Sequence, residues 1–413
     1  MAGSALSLGS FLLTSPLSAA FPIVLESEAL GDLTIGGAIR ANYTVGDYVQ
    51  DPSTSATRGG YGGVNLDTFR FNLDYEKDSW IASGEYRFYP GYGANNNDSY
   101  HFAHTAWIGY NFESEDQIQV GLNRTPFGPG PFGVSQSWMF DQHYYIGLAD
   151  NMNLGVKYTL NQVDEWTIDL AAYAMSAPTG AGNNFGSESS RYSYDVVNEG
   201  GGAGGYREMG QVNLRAVYST EIGPIASDIG GSAQYGYLDG QDGLSDGDMY
   251  ALSVHAVNQW EGWNLTGQLT YYEYDVDYRM GTPVDTDIVI MGAYDFPTEV
   301  AAEAFVPAVS LSYFYEATGI DWLDSITPYV EYSSVIKTKG SFNNSDMIVV
   351  GSAFATGGWY TYMDLAFSNG NDFVGNRDVS PAALGAGGFT SQFGENSDDS
   401  WMTRFNINFG YYF

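Results

Sequence analysis

The sequence contains no cysteine, few basic residues and, beyond residue 30, no long hydrophobic run. The absence of cysteine excludes a disulfide framework and thiol chemistry. Only 15 lysines and arginines stand against 49 aspartates and glutamates, and the resulting net charge of -34 argues against nucleic acid as a partner. No apolar run beyond residue 30 reaches the roughly 18 residues that a membrane helix needs, which argues against a bundle of membrane-spanning helices.

Histidine is also scarce, with four in the whole chain. His101 and His104 fall on opposite faces of one predicted strand, so they do not form a metal-binding pair. Little then remains for a Ser-His-acid triad, and we expect neither an enzyme nor a cofactor. The sequence is instead rich in glycine (52) and tyrosine (33), while charged residues make up only 15%. This composition is typical of strands that face something other than water.

Strict alternation of apolar and polar residues recurs along the chain. In WNLTGQLTYY (263–272), Trp263 and Leu269 share one face, while Asn264, Thr266 and Gln268 share the other. Segments of about ten residues with one apolar and one polar face match the tilted strands of an outer-membrane barrel. We predict about sixteen such strands, near residues 33–44, 65–76, 79–89, 101–112, 116–125, 153–161, 164–175, 209–220, 227–238, 248–259, 262–274, 305–317, 325–337, 346–356, 359–369 and 401–413.

The predicted connections alternate between short turns and long loops. The longest connections fall at residues 176–208, 275–304 and 370–400. This alternation indicates an all-β, antiparallel up-and-down transmembrane barrel, in which an even strand count puts both termini on the short-turn, periplasmic side. A soluble propeller would show a repeat of about 40–50 residues, which this sequence lacks.

The last predicted strand is the most regular, with an aromatic or aliphatic residue at every second position back from Phe413. These residues are Phe405, Ile407, Phe409, Tyr411 and Phe413. Because lipid tolerates no unpaired sheet edge, the last strand must pair with the first. The aromatic ending resembles the C-terminal recognition signal of bacterial outer-membrane proteins, which implies the barrel-assembly machinery as a partner.

The first twenty residues differ from the rest of the chain. They include an apolar segment that ends in Ser18, Ala19 and Ala20, small residues that suit a signal peptidase. We therefore expect a signal peptide over residues 1–20 and a single barrel domain over residues 21–413.

Two neighbouring stretches, AWIGYNF (106–112) and GLNRTPFGPGPFG (121–133), carry a family resemblance. A strand reading Ala-x-Ile-Gly-Tyr, followed by one ending Gly-x-x-basic-x-Pro-Phe, resembles the phosphate-selective porin (O/P-type) family. The resemblance implies a sixteen-stranded channel, commonly trimeric, whose third loop folds into the lumen and narrows it. The constriction residues would be Pro126, Phe127, Gly128 and Asp141. The sequence has only four lysines, so the resemblance does not extend to a particular solute.

Basic residues on the polar strand faces are the best candidates for the pore lining. These are Arg40, Arg70, Arg87, Lys157, Arg215 and Arg404. By position, Arg40, Arg70, Arg87 and Arg404 would form a basic patch near mid-depth on one wall, facing the negative charge of Asp141. The alternative is that they pair with Asp67, Asp74 or Glu85 and stiffen the wall.

The acidic loops suggest a role for divalent cations outside the barrel. Weak binding of Ca²⁺ or Mg²⁺ there would bridge the loops to lipopolysaccharide phosphates, because two anionic surfaces otherwise repel each other. The leading hypothesis is thus an outer-membrane porin for small hydrophilic solutes. The alternative is a non-conducting barrel that acts as a receptor, adhesin or structural sheath, with the apolar DIVIMGAYDF (287–296) as a cap.

Overall fold

The chain forms a closed antiparallel barrel of sixteen strands. The computed structural model describes residues 22–46, 63–89, 99–163, 165–181, 188–198, 205–241, 243–277, 287–294, 296–371, 373–374 and 401–413, so the predicted signal peptide over residues 1–20 lies outside them. The strands are β1 Asp32–Gly46, β2 Gly63–Lys77, β3 Trp80–Tyr89, β4 Tyr100–Asn111, β5 Gln117–Arg124, β6 Met152–Val163, β7 Trp166–Ser176, β8 Tyr206–Ile222, β9 Ile225–Gly240, β10 Gly247–Trp260, β11 Trp263–Asp275, β12 Glu303–Tyr313, β13 Ser325–Lys337, β14 Ser345–Thr356, β15 Trp359–Ser368 and β16 Met402–Tyr412.

Each strand pairs with its neighbours in sequence, and β16 pairs with β1 to close the barrel. The closing register runs from Ala38 opposite Tyr412 to Gly46 opposite Arg404. Below it, Gly37 and Phe413 exchange two backbone hydrogen bonds of 2.8 and 3.0 Å. The short strand Ile23–Leu25 then pairs with residues 33–35. The predicted sixteen-strand closed barrel is therefore confirmed, and the edge of β1 is covered along nearly its whole length.

The connections place tight turns at one end of the barrel and the long loops at the other. Asp78 begins one two-residue turn with a φ of 53°, while Glu261 and Gly262 form another with φ angles of 46° and 87°. Two-residue hairpins with positive φ match the right-handed twist of the strands they join. A two-residue strand, Tyr315–Glu316, lies in the longest of the short-turn connections.

The two barrel faces follow the predicted alternation. On β11, Asn264, Thr266 and Gln268 are buried inside the barrel, whereas Trp263 and Leu269 are exposed on the outer surface. The apolar outer face suits contact with lipid, and the polar inner face encloses a lumen.

Register irregularities interrupt this alternation at several places, and two of them are β-bulges that place polar side chains on the inner face. The pairing of β1 with β2 shifts between Arg40 and Ala41, which leaves Asp67 as an extra residue that is buried on the inner face. The pairing of β3 with β4 shifts likewise at His104, which is also buried inside. A bulge inserts one residue and redirects a side chain, and here each adds a titratable group to the lumen wall.

Several loop segments fold into the barrel. The connection between β5 and β6, residues 125–151 and hereafter the third loop, carries the single-turn helix α1, Gln142–Tyr145. Three further strands, Asp195–Val196, Ile288–Ala293 and Phe296–Ala301, form a separate three-stranded sheet, hereafter the inner sheet. The strand at residues 288–293 is buried along its whole length, as expected for a segment that could cap the barrel. Within the described residues, no helix is long and apolar enough to cross a membrane.

The closing seam gives a matched test of the fold. A Cβ added to Gly37 would lie 2.3 Å from the backbone oxygen of Arg70 and 2.8 Å from the ring of Phe413, whereas a Cβ on Gly267 would meet nothing within 4 Å. We expect Gly37→Ala to lower the urea midpoint of unfolding and the yield of heat-modifiable barrel, because the seam must shift to admit the methyl group. Gly267→Ala should leave both unchanged. Equal behaviour of the two variants in gel-shift and urea titrations would contradict the proposed seam.

Candidate functional site

A cavity of about 590 Å³ runs through the lumen. Asn161, Ser219 and Gln259, each within a few residues of a tight turn, line one end of it. Tyr89 and Tyr100, at the long-loop ends of β3 and β4, line the other. The cavity lining therefore extends along most of the length of the strands.

All six basic residues predicted for the pore lie in the cavity lining. They are Arg40, Arg70, Arg87, Lys157, Arg215 and Arg404. Among the described residues, the cavity lining holds these six basic side chains and four acidic ones, Asp67, Asp150, Asp169 and Asp228. The described lining therefore carries an excess of basic groups, in contrast to the net charge of -34 of the chain.

Three of the arginines form a row across neighbouring strands, hereafter the arginine row: Arg40, Arg70 and Arg87. Arg70 and Arg87 are directly opposite each other in the pairing of β2 with β3. Glu85 lies between them, in an ion pair with Arg87 Nε and 3.5 Å from Arg70 Nη1. Arg40 Nε lies 3.0 Å from the bulged Asp67. The three arginines therefore lie in the cavity lining and also make ion pairs with wall carboxylates.

Arg404 lies apart from this row. It is opposite Gly46, six residues farther along β1 than Arg40 and towards the long loops. Its Nη1 donates a 2.5 Å hydrogen bond to the Phe373 carbonyl, and its guanidinium lies 5.3 Å from the ring centre of Trp138. Arg404 therefore links the barrel wall to two loops inside the barrel instead of joining the mid-depth row.

The remaining basic residues belong to a second group on β6 and β8. Arg215 Nη1 lies 3.1 Å from Asp169 on β7, and Lys157 Nζ donates a 3.2 Å hydrogen bond to the Arg124 carbonyl. Both side chains lie on the cavity wall.

Arg215 also fixes the start of the third loop. Its Nε and Nη2 donate hydrogen bonds of 2.7 and 3.1 Å to the carbonyls of Gly128 and Pro129, and Gly128 N donates to Ser232 Oγ at 3.0 Å. Gly128 has a φ of 70°, and a Cβ there would lie 2.8 Å from Gln268 Nε2, so both backbone conformation and space favour glycine. Of the predicted constriction residues, Pro126, Phe127 and Gly128 are buried where the loop enters the lumen.

Two wall carboxylates hold the middle of the third loop. Glu331 on β13 accepts hydrogen bonds from Ser135 Oγ at 2.7 Å, Ser137 Oγ at 2.9 Å and the Gln136 backbone N–H. Asp364 on β15 accepts one from the Trp138 backbone N–H at 3.3 Å. The loop is therefore attached to the wall at β8, β9, β13 and β15.

Asp141, the acid predicted to face the arginines, is 1% exposed and turned into the loop. It caps α1: its Oδ2 accepts a 2.7 Å hydrogen bond from Val134 N, and its Oδ1 accepts bonds of 2.7 and 2.9 Å from His143 N and Nδ1. His143 Nε2 in turn lies 2.9 Å from Thr270 Oγ1 on β11. Asp141 thus orders the loop and does not present its charge to the lumen. Its carboxylate oxygens accept hydrogen bonds from backbone N–H groups that would otherwise have no acceptor inside the buried loop.

Asp150 links the end of the third loop to other parts of the lumen. Arg124 Nε and Nη2 approach its Oδ1 at 2.9 and 2.8 Å, and the Tyr192 hydroxyl donates to its Oδ2 at 2.5 Å. Burial by itself raises the pKa of Asp150, but the positive charge of Arg124, with further contributions from neighbouring groups, outweighs burial and holds the pKa below its usual range. The carboxylate is therefore charged over the whole physiological pH range.

Sequence reasoning missed the aromatic lining of the lumen. The third loop presents several rings and one acid, Asp150, to the cavity, and other rings come from the barrel wall and from other inward loop segments. The lining aromatic residues are Tyr89, Tyr100, Phe132, Trp138, Phe140, Tyr144, Tyr145, Tyr192, Tyr294, Tyr360, Tyr362, Phe373 and Tyr412. The parity of β15 carried part of this signal, since Tyr360 and Tyr362 share a face with the inward Asp364.

The predicted assembly residues lie on the outer face of the closing strand. Phe405, Ile407, Phe409, Tyr411 and Phe413 are all partly or fully exposed, while the intervening Arg404, Asn406 and Asn408 are buried inside. Of the two β4 histidines, His101 contacts Tyr86 on the outer face at 2.7 Å, and His104 lies inside. Within the part of the chain that the structure describes, no group of three or more histidine, aspartate or glutamate side chains is placed to hold a metal ion.

The attachment of the third loop can be tested at Glu331. The Glu331 carboxylate accepts hydrogen bonds at both of its oxygens, whereas a glutamine side chain has only one accepting oxygen. We therefore expect Glu331→Gln to loosen the loop, because at least one donor of the loop loses its acceptor. Protease cleavage within residues 131–138 should become faster, and current noise in planar bilayers should rise. Glu273→Gln, on the outer face of β11, is the control and should match wild type. Unchanged cleavage and noise in Glu331→Gln would show that Glu331 does not hold the loop.

The fold matches those of solved bacterial outer-membrane proteins. The outer-membrane channel DcaP of Acinetobacter baumannii aligns with a TM-score of 0.57 at 11% identity, over 94% of this chain and 99% of that one. OmpT of Vibrio cholerae, in its trimer form, aligns with a TM-score of 0.53 at 13% identity, over 93% and 100%. An anion-selective porin from Comamonas acidovorans aligns with a TM-score of 0.51 at 14% identity, over 92% and 99%.

No protein-family model matches the sequence, and no curated protein matches it. At these identities the structural likeness shows the fold, which is a sixteen-stranded porin-type barrel. It does not show membership of the O/P-type family.

Proposed function

We propose that the chain is an integral outer-membrane porin that passes small hydrophilic solutes and ions by passive diffusion. The observation that carries this proposal is the lumen. A closed barrel with an apolar outer surface encloses a cavity lined by charged, polar and aromatic side chains, and this lining extends from the tight turns to the long-loop ends of the strands. A structural barrel has no need for a charged lining of this length, whereas a water-filled channel does.

The third loop sets the width of the proposed channel. Its hydrogen bonds to Glu331, Asp364 and Arg215 hold it across the lumen, so that Phe132 and Trp138 line the passage together with the arginine row. A solute in this passage therefore meets both guanidinium groups and aromatic rings. This lining favours anions over cations among small solutes, since the local charge is positive.

A second candidate function has one observation in its favour. The hairpin formed by Ile288–Ala293 and Phe296–Ala301 lies inside the barrel, and Tyr294 on it contacts Tyr89 and Phe102 at ring distances of 5.3 and 6.0 Å. A barrel filled in this way could serve as a non-conducting receptor, adhesin or structural sheath. The cavity beside the hairpin supports the channel more strongly.

The expected surroundings follow from the proposal. Both termini would lie in the periplasm, and the outward aromatic residues that end at Phe413 would be read by the barrel-assembly machinery. The long loops would bind lipopolysaccharide, with weakly held Mg²⁺ or Ca²⁺ between the two acidic surfaces. A homotrimer is supported by the trimer form in which the Vibrio cholerae protein was solved.

Single-channel recording in planar bilayers tests the function directly. We expect discrete conductance steps from the purified wild-type barrel and larger steps when residues 287–301 are replaced by a flexible Gly-Ser linker, because the hairpin occupies lumen volume. Replacement of the exposed residues 318–322, in a connection at the tight-turn end, by the same kind of linker is the control and should leave the step size unchanged. Steps seen only after the hairpin is removed would favour the non-conducting alternative, and the absence of steps from every folded, inserted variant would contradict the porin.

A further inference from the structure

We propose that the lumen between the arginine row and the third loop is a binding site for small aromatic carboxylates. This inference rests on the proposed function, because the ligand must enter the lumen, and it names the solute class that the lining recognises. It is carried by the juxtaposition of guanidinium groups and aromatic rings around one cavity.

The side chains around Arg70 and Arg87 carry an excess of positive charge. Arg70 and Arg87 are cross-strand neighbours and share one carboxylate, Glu85, so this cluster holds more positive than negative groups. The Arg70 side chain is 18% exposed and lies in the cavity lining, so part of its guanidinium is open to the lumen. A guanidinium offers planar donors that match a carboxylate, and such charge-assisted bonds are stronger than neutral ones. An anionic ligand therefore completes the charge balance of the cluster.

Aromatic rings lie directly beside the guanidinium groups of Arg70 and Arg87. The Arg87 guanidinium carbon lies 4.4 Å from the ring centre of Tyr192, and that of Arg70 lies 5.2 Å from the ring centre of Tyr412. Stacking and ion pairing together fix the guanidinium planes, so little side-chain entropy remains to be lost on binding. The same rings that hold the arginines also line the cavity.

The third loop supplies further rings to the same cavity. Asp141 is turned into the third loop, and Phe132, Trp138 and Phe140 line the cavity there instead. An inorganic anion gains nothing from these rings, and a neutral sugar gains little from the excess positive charge. A ligand with an aromatic ring and a carboxylate uses both surfaces at once.

Isothermal titration of the full-length barrel in detergent tests the proposal with three probes. Benzoate carries the ring and the charge, cyclohexanecarboxylate carries the charge alone, and benzamide carries the ring alone. We expect benzoate to bind about three- to tenfold more tightly than cyclohexanecarboxylate, from ring stacking. Benzamide should bind at least about tenfold more weakly than benzoate, because a charge-assisted hydrogen bond is lost. Equal binding of all three probes, or tighter binding of benzamide, would overturn the proposal.

Two variants with matched controls locate the site. Arg70→Gln leaves Glu85 paired with Arg87, so the wall stays intact, and benzoate affinity should fall about tenfold. Arg207→Gln, an exposed arginine paired with Glu188 outside the cavity lining, should not change it. Phe132→Leu should abolish the preference for benzoate over cyclohexanecarboxylate, whereas Phe71→Leu on the outer face should keep it. Wild-type affinity in Arg70→Gln, or an unchanged preference in Phe132→Leu, would place the site elsewhere and overturn the inference.

The titration also separates this inference from the proposed function. Conductance steps without benzoate binding would refute the site and leave the porin standing. Benzoate binding without conductance would refute the channel and leave the site standing.

Discussion

The structure depends on one constraint, which is that a barrel wall in lipid must pair every backbone amide and carbonyl within the protein. Pairing between strands that follow each other in sequence meets this demand everywhere except at the seam between the first and last strands. Here β16 covers β1 from Gly46 to Ala38, the terminal Phe413 bonds to Gly37, and the short strand Ile23–Leu25 covers the rest. Closure in turn separates an inside from an outside, and only then can alternating residues form a lumen.

Closure also decides what the lumen contains. Buried polar groups must find partners, and the inner wall supplies them by ion pairs and by attachment of the third loop. Glu331 and Asp364 accept hydrogen bonds from backbone amides of that loop, and the Asp141 carboxylate caps the N-terminus of α1. Acids thus become structural, whereas basic side chains such as Arg70 and Lys157 stay on the cavity wall. A protein with a strongly negative net charge thereby has more basic than acidic side chains in the described cavity lining.

The sequence was sufficient for the strands and for the inner basic residues, because both follow from a period of two that the barrel enforces on every strand. The sequence was insufficient to predict side-chain directions where a bulge breaks that period, or where contacts between a loop and the wall decide them. The bulges at Asp67 and His104 reverse local parity without any marker in composition. The direction of Asp141 and the position of Tyr294 depend on loop contacts that are distant in sequence, and alternation carries no information about those contacts.

The central claim is that the lumen lining, not the net charge of the chain, governs which ions pass. The zero-current potential of the wild-type channel across a KCl gradient tests it most directly. At physiological ionic strength, where the Debye length is about 8 Å, the acidic loops are largely screened and the account predicts a preference for chloride. Dilution of both solutions should move the potential towards potassium as screening weakens. A preference for potassium that is already strong at physiological ionic strength would contradict the account.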